Sequence, residues 1–149
     1  MPNANGELVK RIDMFVHFAE LAATNNIAVK FTLADANNGG YQAHPRSKTI
    51  ISRPIRNTGY YVSGLHEMGH ILGPDQEALQ YHAHGLSDIL MSEWGAWRWA
   101  KENAITWTDT AERIMKGALT SYATNISPSI LAAMPDDFFN WVNIDHPAC

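Results

Sequence analysis

The chain is poor in most of the features that announce a protein's class. Its 149 residues include one cysteine, Cys149. A lone cysteine makes no intrachain disulfide, which excludes a disulfide-stapled scaffold and favours a reducing compartment. No apolar run approaches the roughly 18–20 residues that span a bilayer. The opening stretch, MPNANGELVK, has no apolar h-region and does not read as a signal peptide. A cytoplasmic protein without a membrane partner is expected. Basic residues are in the minority, 11 Lys and Arg against 15 Asp and Glu, for a net charge of −4. That removes the electrostatic footprint of a nucleic-acid binder. Internal repeats and low-complexity tracts are absent as well.

What is present is a globular composition, 46% hydrophobic and 17% charged. The length suits one domain over residues 1–149, with 1–6 as a flexible tail and 105–149 as a C-terminal helical extension. From Glu7 to Thr24, Leu8, Ile12, Phe15, Ala19 and Ala22 recur at helical spacing, which predicts a helix buried on that stripe. Ile27, Val29, Phe31 and Leu33 alternate as in a half-buried strand. Asn37 to Gly40 is turn material, and Lys48–Arg53 is a second short strand ended by Pro54. A loop over Pro54–Gly59 leads to a helix from about Tyr61 to Leu72, stopped by Gly73-Pro74. Three further segments read as helices: Ile89–Ala104, rich in tryptophan; one capped by Thr108-Asp109; and a short one opened by Pro128. Asp136–Val142 adds a last turn or two. The expected fold class is α+β, predominantly helical, with a small β-sheet before the central helix.

That central helix carries HEMGH. His66 and His70 are four apart, so a helix places both imidazoles on one face, able to bind one metal ion. H-E-x-x-H is the zincin pattern, in which the intervening glutamate, here Glu67, serves as general base. Two imidazoles and a carboxylate on neighbouring faces are costly to bury without a partner.

A catalytic zinc takes three protein ligands. The longer pattern H-E-x-x-H-x-x-G-x-x-H is met through Gly73 but ends on Gln76, a poor ligand. His82 and His84, in LQYHAHGL, share a face if extended, and serve as alternative ligands or as oxyanion donors. Glu93 is favoured, by analogy with two-His, one-Glu zinc sites. It opens EWGAWRWA, where Gly95, Ala96 and Ala100 lie close to its face. Glycine costs about 1 kcal/mol relative to alanine inside a helix, so small residues there imply a close helix crossing. Tyr81, Tyr60 and Tyr61 are weaker oxyanion candidates. The terminal His146 and Cys149 read as a frayed end.

HEMGH, followed 23 residues after its second histidine by EWGAWRWA, resembles the ImmA/IrrE-type metallopeptidases and related phage-encoded zincins. Their second helix reads approximately E-x-E-A-x-x-F-A, and Glu93, Ala96, Trp99 and Ala100 fall on it. Gly95 and Trp97 depart from the glutamate and asparagine usual there. The resemblance covers roughly residues 7–104 and implies a minimal zincin-like metallopeptidase domain. It implies zinc held by His66, His70 and Glu93, and cleavage of a peptide bond, with a regulatory protein as the kind of substrate. Two other classes remain open: a zinc-bearing phage or prophage protein that binds a regulator without turnover, and a hydrolase of another bond. If a peptide adds to the sheet, Lys48–Arg53 is the expected edge.

Overall fold

A computed structural model describes residues 10–33, 40–74, 76 and 86–147. The fold is α+β and mostly helical, with a small three-stranded sheet. Helix α1 spans Arg11–Thr24, followed by β1 (Ala28–Phe31), β2 (Gln42–His44) and β3 (Thr49–Ser52). Helix α2 is Thr58–Leu72, α3 Leu86–Asn103, α4 Asp109–Thr124 and α5 Pro128–Leu131, and a 3-10 turn closes the chain at Asp136–Asn140. The expected tail, residues 1–6, lies outside the described residues.

The helix boundaries follow local chemistry. Asp13 accepts the Lys10 N–H at 3.0 Å, half of a capping box at the start of α1. Helix α2 begins three residues before the expected Tyr61, because the Asn57 side chain caps it by accepting the Tyr60 N–H at 2.9 Å. Gly73 ends it, returning its N–H to the Gly69 carbonyl at 2.8 Å. Thr108 caps α4 through the Ala111 N–H.

Two expectations need correction. Helix α1 buries Met14, Phe18 and Ala22, whereas Ile12 and Phe15 are 60% and 41% exposed. The helix is apolar on two faces, so periodicity alone could not choose between them. The choice falls on Phe18 because α2 has a glycine opposite it: a Cβ on Gly64 would stand 2.6 Å from the Phe18 ring. The second correction concerns the sheet. Strand β3 is central, parallel to β1 and antiparallel to β2, with Ile50 facing Val29 on one side and Ala43 on the other. Its Ile50 and Ser52 are fully buried. The edges are β1 and β2. Three-residue β2, Gln-Ala-His, has no β-branched residue and is a strand by pairing rather than by propensity. A tight turn over Pro45–Lys48, with Lys48 at φ 50°, folds it back on β3.

Helix α2 is the hub, packed against α1, the sheet, α3 and α4. Its Val62, Leu65 and Met68 share one core with Leu90, Trp94 and Trp97 of α3 and with Met115 and Leu119 of α4. Phe138 meets the Trp94 ring edge-on and is fully buried. His146, read from sequence as part of a frayed end, rests its ring on Phe139 at 4.7 Å. Tyr61 pins three segments together: its buried hydroxyl accepts the Ile105 N–H at 2.9 Å and bonds His17 Nδ1 at 2.7 Å. No helix among the described residues is long and apolar enough to cross a membrane.

Candidate metal centre

The centre lies where α2 crosses α3, and the crossing is close enough for backbones to touch. A Cβ on Gly69 would stand 2.2 Å from the Ala96 carbonyl oxygen, and one on Gly73 2.8 Å from that of Gly95. Gly95 and Ala96 are buried in turn. Helices this close bring side chains on their facing turns into direct contact, and here those side chains are polar.

Glu93 projects from α3 between the two histidines of α2. Its Oε1 lies 3.0 Å from His66 Nε2, and its Oε2 2.7 Å from His70 Nε2. On its other side, His66 places Nδ1 3.1 Å from Glu67 Oε2. His70 directs Nδ1 to the Ser92 hydroxyl at 3.2 Å. The Trp97 ring lies flat against the His66 ring, centroids 4.3 Å apart and 15° from parallel. Trp97 is thus in contact with a candidate ligand. Glu67 and Glu93 are each 8% exposed.

Burial alone would push a histidine down and a glutamate up in pKa. Both tendencies are overcome here. Burial works against the His66 cation, yet hydrogen bonds to Glu67 and Glu93 hold its pKa up at about 9. Burial opposes ionisation of Glu93, yet His66 and His70 bring its carboxyl down to about 2. The cluster is a set of anionic and imidazole donors that stabilise one another in place of solvent.

His66, Glu67 and His70 present donor atoms within 4.8 Å of one another, a group that could hold a metal ion. Glu93 touches both imidazoles directly, so two carboxylates compete for the third position. The donor chemistry suits zinc: two imidazole nitrogens and a carboxylate oxygen. Ligands of a tetrahedral zinc stand about 3.3 Å apart, given metal–ligand distances near 2.0–2.1 Å. Glu93 contacts the two histidines at 3.0 and 2.7 Å, through its two oxygens in turn, near the spacing of ligands on one zinc.

The centre faces a cleft of about 1200 Å³. All of β2 lines one wall, together with Tyr41 and the Pro45–Ser47 turn. Ile89 of α3 and Tyr122 of α4 line another. Two tyrosines that sequence reading passed over therefore stand at the site. Burial pushes the Tyr41 hydroxyl up to about 12. The charge of Glu93, then burial and Glu67, raise that of Tyr122. Both remain protonated donors at neutral pH. Their signal was not readable in sequence, because Tyr122 lies 29 residues beyond Glu93 (122 − 93) on a helix that looked like an appendage. Tyr61, a weak candidate from sequence, is committed to His17 and Ile105, and Tyr60 is not part of the cleft lining. Tyr81, His82 and His84 lie outside the described residues.

No protein-family model matches the chain, and comparison with curated proteins and with solved structures returns no match.

Proposed function

We propose that the protein is a zinc-dependent metallopeptidase of zincin-like type, with His66, His70 and Glu93 as the metal ligands and Glu67 as the general base. The observation that carries this reading is Glu93, drawn from a second helix onto the Nε2 atoms of both HExxH histidines. The resemblance to ImmA/IrrE-type peptidases supports it, as does the open cleft beside the centre, which has room for a peptide. Zinc, when bound, supplies a Lewis acid that polarises a carbonyl and acidifies water.

The chain's residues do the rest. An extended peptide lies along the wall formed by β2, the edge strand of the described sheet at the cleft, so that β2 fills the role expected from sequence for Lys48–Arg53. Glu67 takes a proton from the attacking water as its oxygen bonds to the peptide carbon. It then passes that proton to the amide nitrogen as the C–N bond breaks. Tyr122, at the cleft, donates a hydrogen bond from its hydroxyl to the oxygen on which negative charge develops. The substrate is a protein or peptide, with a regulatory protein as the class the resemblance suggests and the cytoplasm as the compartment.

A second reading has its own observation. Glu67 is bonded to His66 Nδ1, as a carboxylate that merely orients a ligand would be. In that reading the metal is structural and the surface binds a regulator without turnover. One experiment separates the two. Zinc content and cleavage of a quenched-fluorescent peptide library are measured for the wild type, Glu67→Gln and Glu93→Ala. The peptidase reading expects one zinc and cleavage in the wild type, zinc without cleavage in Glu67→Gln, and loss of zinc in Glu93→Ala. Zinc retained in full by Glu93→Ala sinks the ligand assignment. Cleavage undiminished in Glu67→Gln sinks the base.

A further inference from the structure

The residue that rules out a third histidine is not idle. Gln76 is 4% exposed, and both ends of its amide are used. Its Nε2 lies 2.8 Å from the Ser92 backbone carbonyl, and its Oε1 lies 2.9 Å from the Ser92 hydroxyl. That hydroxyl is the group 3.2 Å from His70 Nδ1.

Donor and acceptor chemistry sets the direction of every bond in this chain. A backbone carbonyl only accepts, so the Gln76 atom beside it is the NH2 group. The amide oxygen then faces the Ser92 hydroxyl and must accept its proton. With that proton committed, Ser92 Oγ can only accept from His70. His70 therefore donates from Nδ1, which leaves Nε2 as the nitrogen a metal ion takes; without the ion, Nε2 faces the Glu93 carboxylate at 2.7 Å, an acceptor that draws a proton onto that nitrogen as well. We infer that Gln76 and Ser92 are positioning residues that hold His70 in the tautomer and orientation a metal ion requires.

Gly95 makes the arrangement sterically possible. A Cβ there would stand 2.9 Å from Gln76 Nε2 and 2.7 Å from the Pro74 carbonyl oxygen. The chain leaving α2 folds over α3 only because position 95 has no side chain. Two departures noted in the sequence, Gln76 for histidine and Gly95 for glutamate, are thus parts of one device. The same crossing supplies both members of the relay: Ser92 precedes Glu93 on α3, and Gln76 follows α2 by one turn of chain. Hydrogen-bond partners of metal-bound histidines act in this way generally, fixing the ring and the site of its proton.

The inference rests on the metal reading and deepens it, so its test carries a readout that does not need metal. Ser92→Ala and Gln76→Met remove the relay with little change in volume. Zinc affinity, measured by competition with a chromophoric chelator, is expected to fall about 10–100-fold in each. The melting temperature of the metal-free variants monitors folding separately. Imidazole 15N spectra of metal-free Glu93→Ala protein in alkaline buffer, where the carboxylate facing Nε2 is gone, report the tautomer that the relay sets. In that background His70 should be protonated on Nδ1, and adding Gln76→Met should give a mixture, since its Ser92 hydroxyl is released to donate. Unchanged zinc affinity in both variants overturns the inference, as does a His70 protonated on Nε2 in metal-free Glu93→Ala. If the wild type takes up no zinc, the proposed function fails on that result, while the nitrogen spectra still decide whether the relay sets the tautomer.

Discussion

Helix α2 meets two of its helical neighbours, α1 and α3, through glycines, and the two contacts differ in kind. Against α3, Gly69 faces the backbone of Ala96. Against α1, Gly64 faces the ring of Phe18. A ring can tilt about its side-chain torsions, whereas a peptide carbonyl inside a helix cannot move without breaking the helix. The α3 contact is therefore rigid, and it is the one that carries the polar centre. The α1 contact is apolar and adjustable. Precision is concentrated where donor atoms must meet within tenths of an ångström.

The comparison breaks most sharply at Gly69. Gly69→Ala should cost more than the roughly 1–3 kcal/mol typical of overpacking, and should abolish zinc uptake. Adding Ala96→Gly should not restore either property, because the atom in the way is a carbonyl oxygen. Chemical denaturation and metal analysis of single and double variants check this; recovery in the double variant would show that the crossing can yield. At the other contact, Gly64→Ala should cost about 1–3 kcal/mol and leave zinc content unchanged. Phe18→Leu in the same chain should recover part of that loss. Loss of zinc in Gly64→Ala would mean that the α1 contact also sets the site.

The smallest effect belongs to His17, on the side of α1 that touches Tyr61. Burial lowers its pKa, against the opposing charge of Glu20, and its Nδ1 bonds the Tyr61 hydroxyl. The unfolded chain takes up a proton near pH 6.5 while the folded chain resists it. The contribution of His17 is therefore fully present above that pH and is lost as pH falls toward the folded value. His17→Gln should flatten the dependence of melting temperature on pH by a fraction of one proton. An unaltered slope would remove His17 from the acid sensitivity of the fold.

Much of the centre was legible because it is written in local spacing. His66, Glu67 and His70 need only a helix, and Gly73-Pro74 says where that helix stops. Glu93 was legible through composition, since glycine and alanine beside a carboxylate imply a close crossing. The buried face of α1 was not legible, because Ile12, Phe15 and Val16 compete with Met14 and Phe18 on hydrophobicity alone. Nor was β2, whose strand exists only through its partner β3. Tyr41 and Tyr122 carry no motif at all. They reach the cleft from β2's flank and from α4, and only packing brings them there.

By itself, the sequence determined which donor atoms this protein has and that two of them share a helix face, because an i, i+4 pair is set by the repeat of the helix. It also determined that Gln76 cannot be the missing histidine. Only the tertiary structure decided that Glu93 meets both imidazoles, that β2 rather than β3 borders the cleft, and that Gln76 acts through Ser92 on His70. Each of those depends on groups 16 to 27 residues apart in the chain or on the pairing of strands. Such contacts follow from how closely two backbones can approach, and that distance is a property of the packed core as a whole.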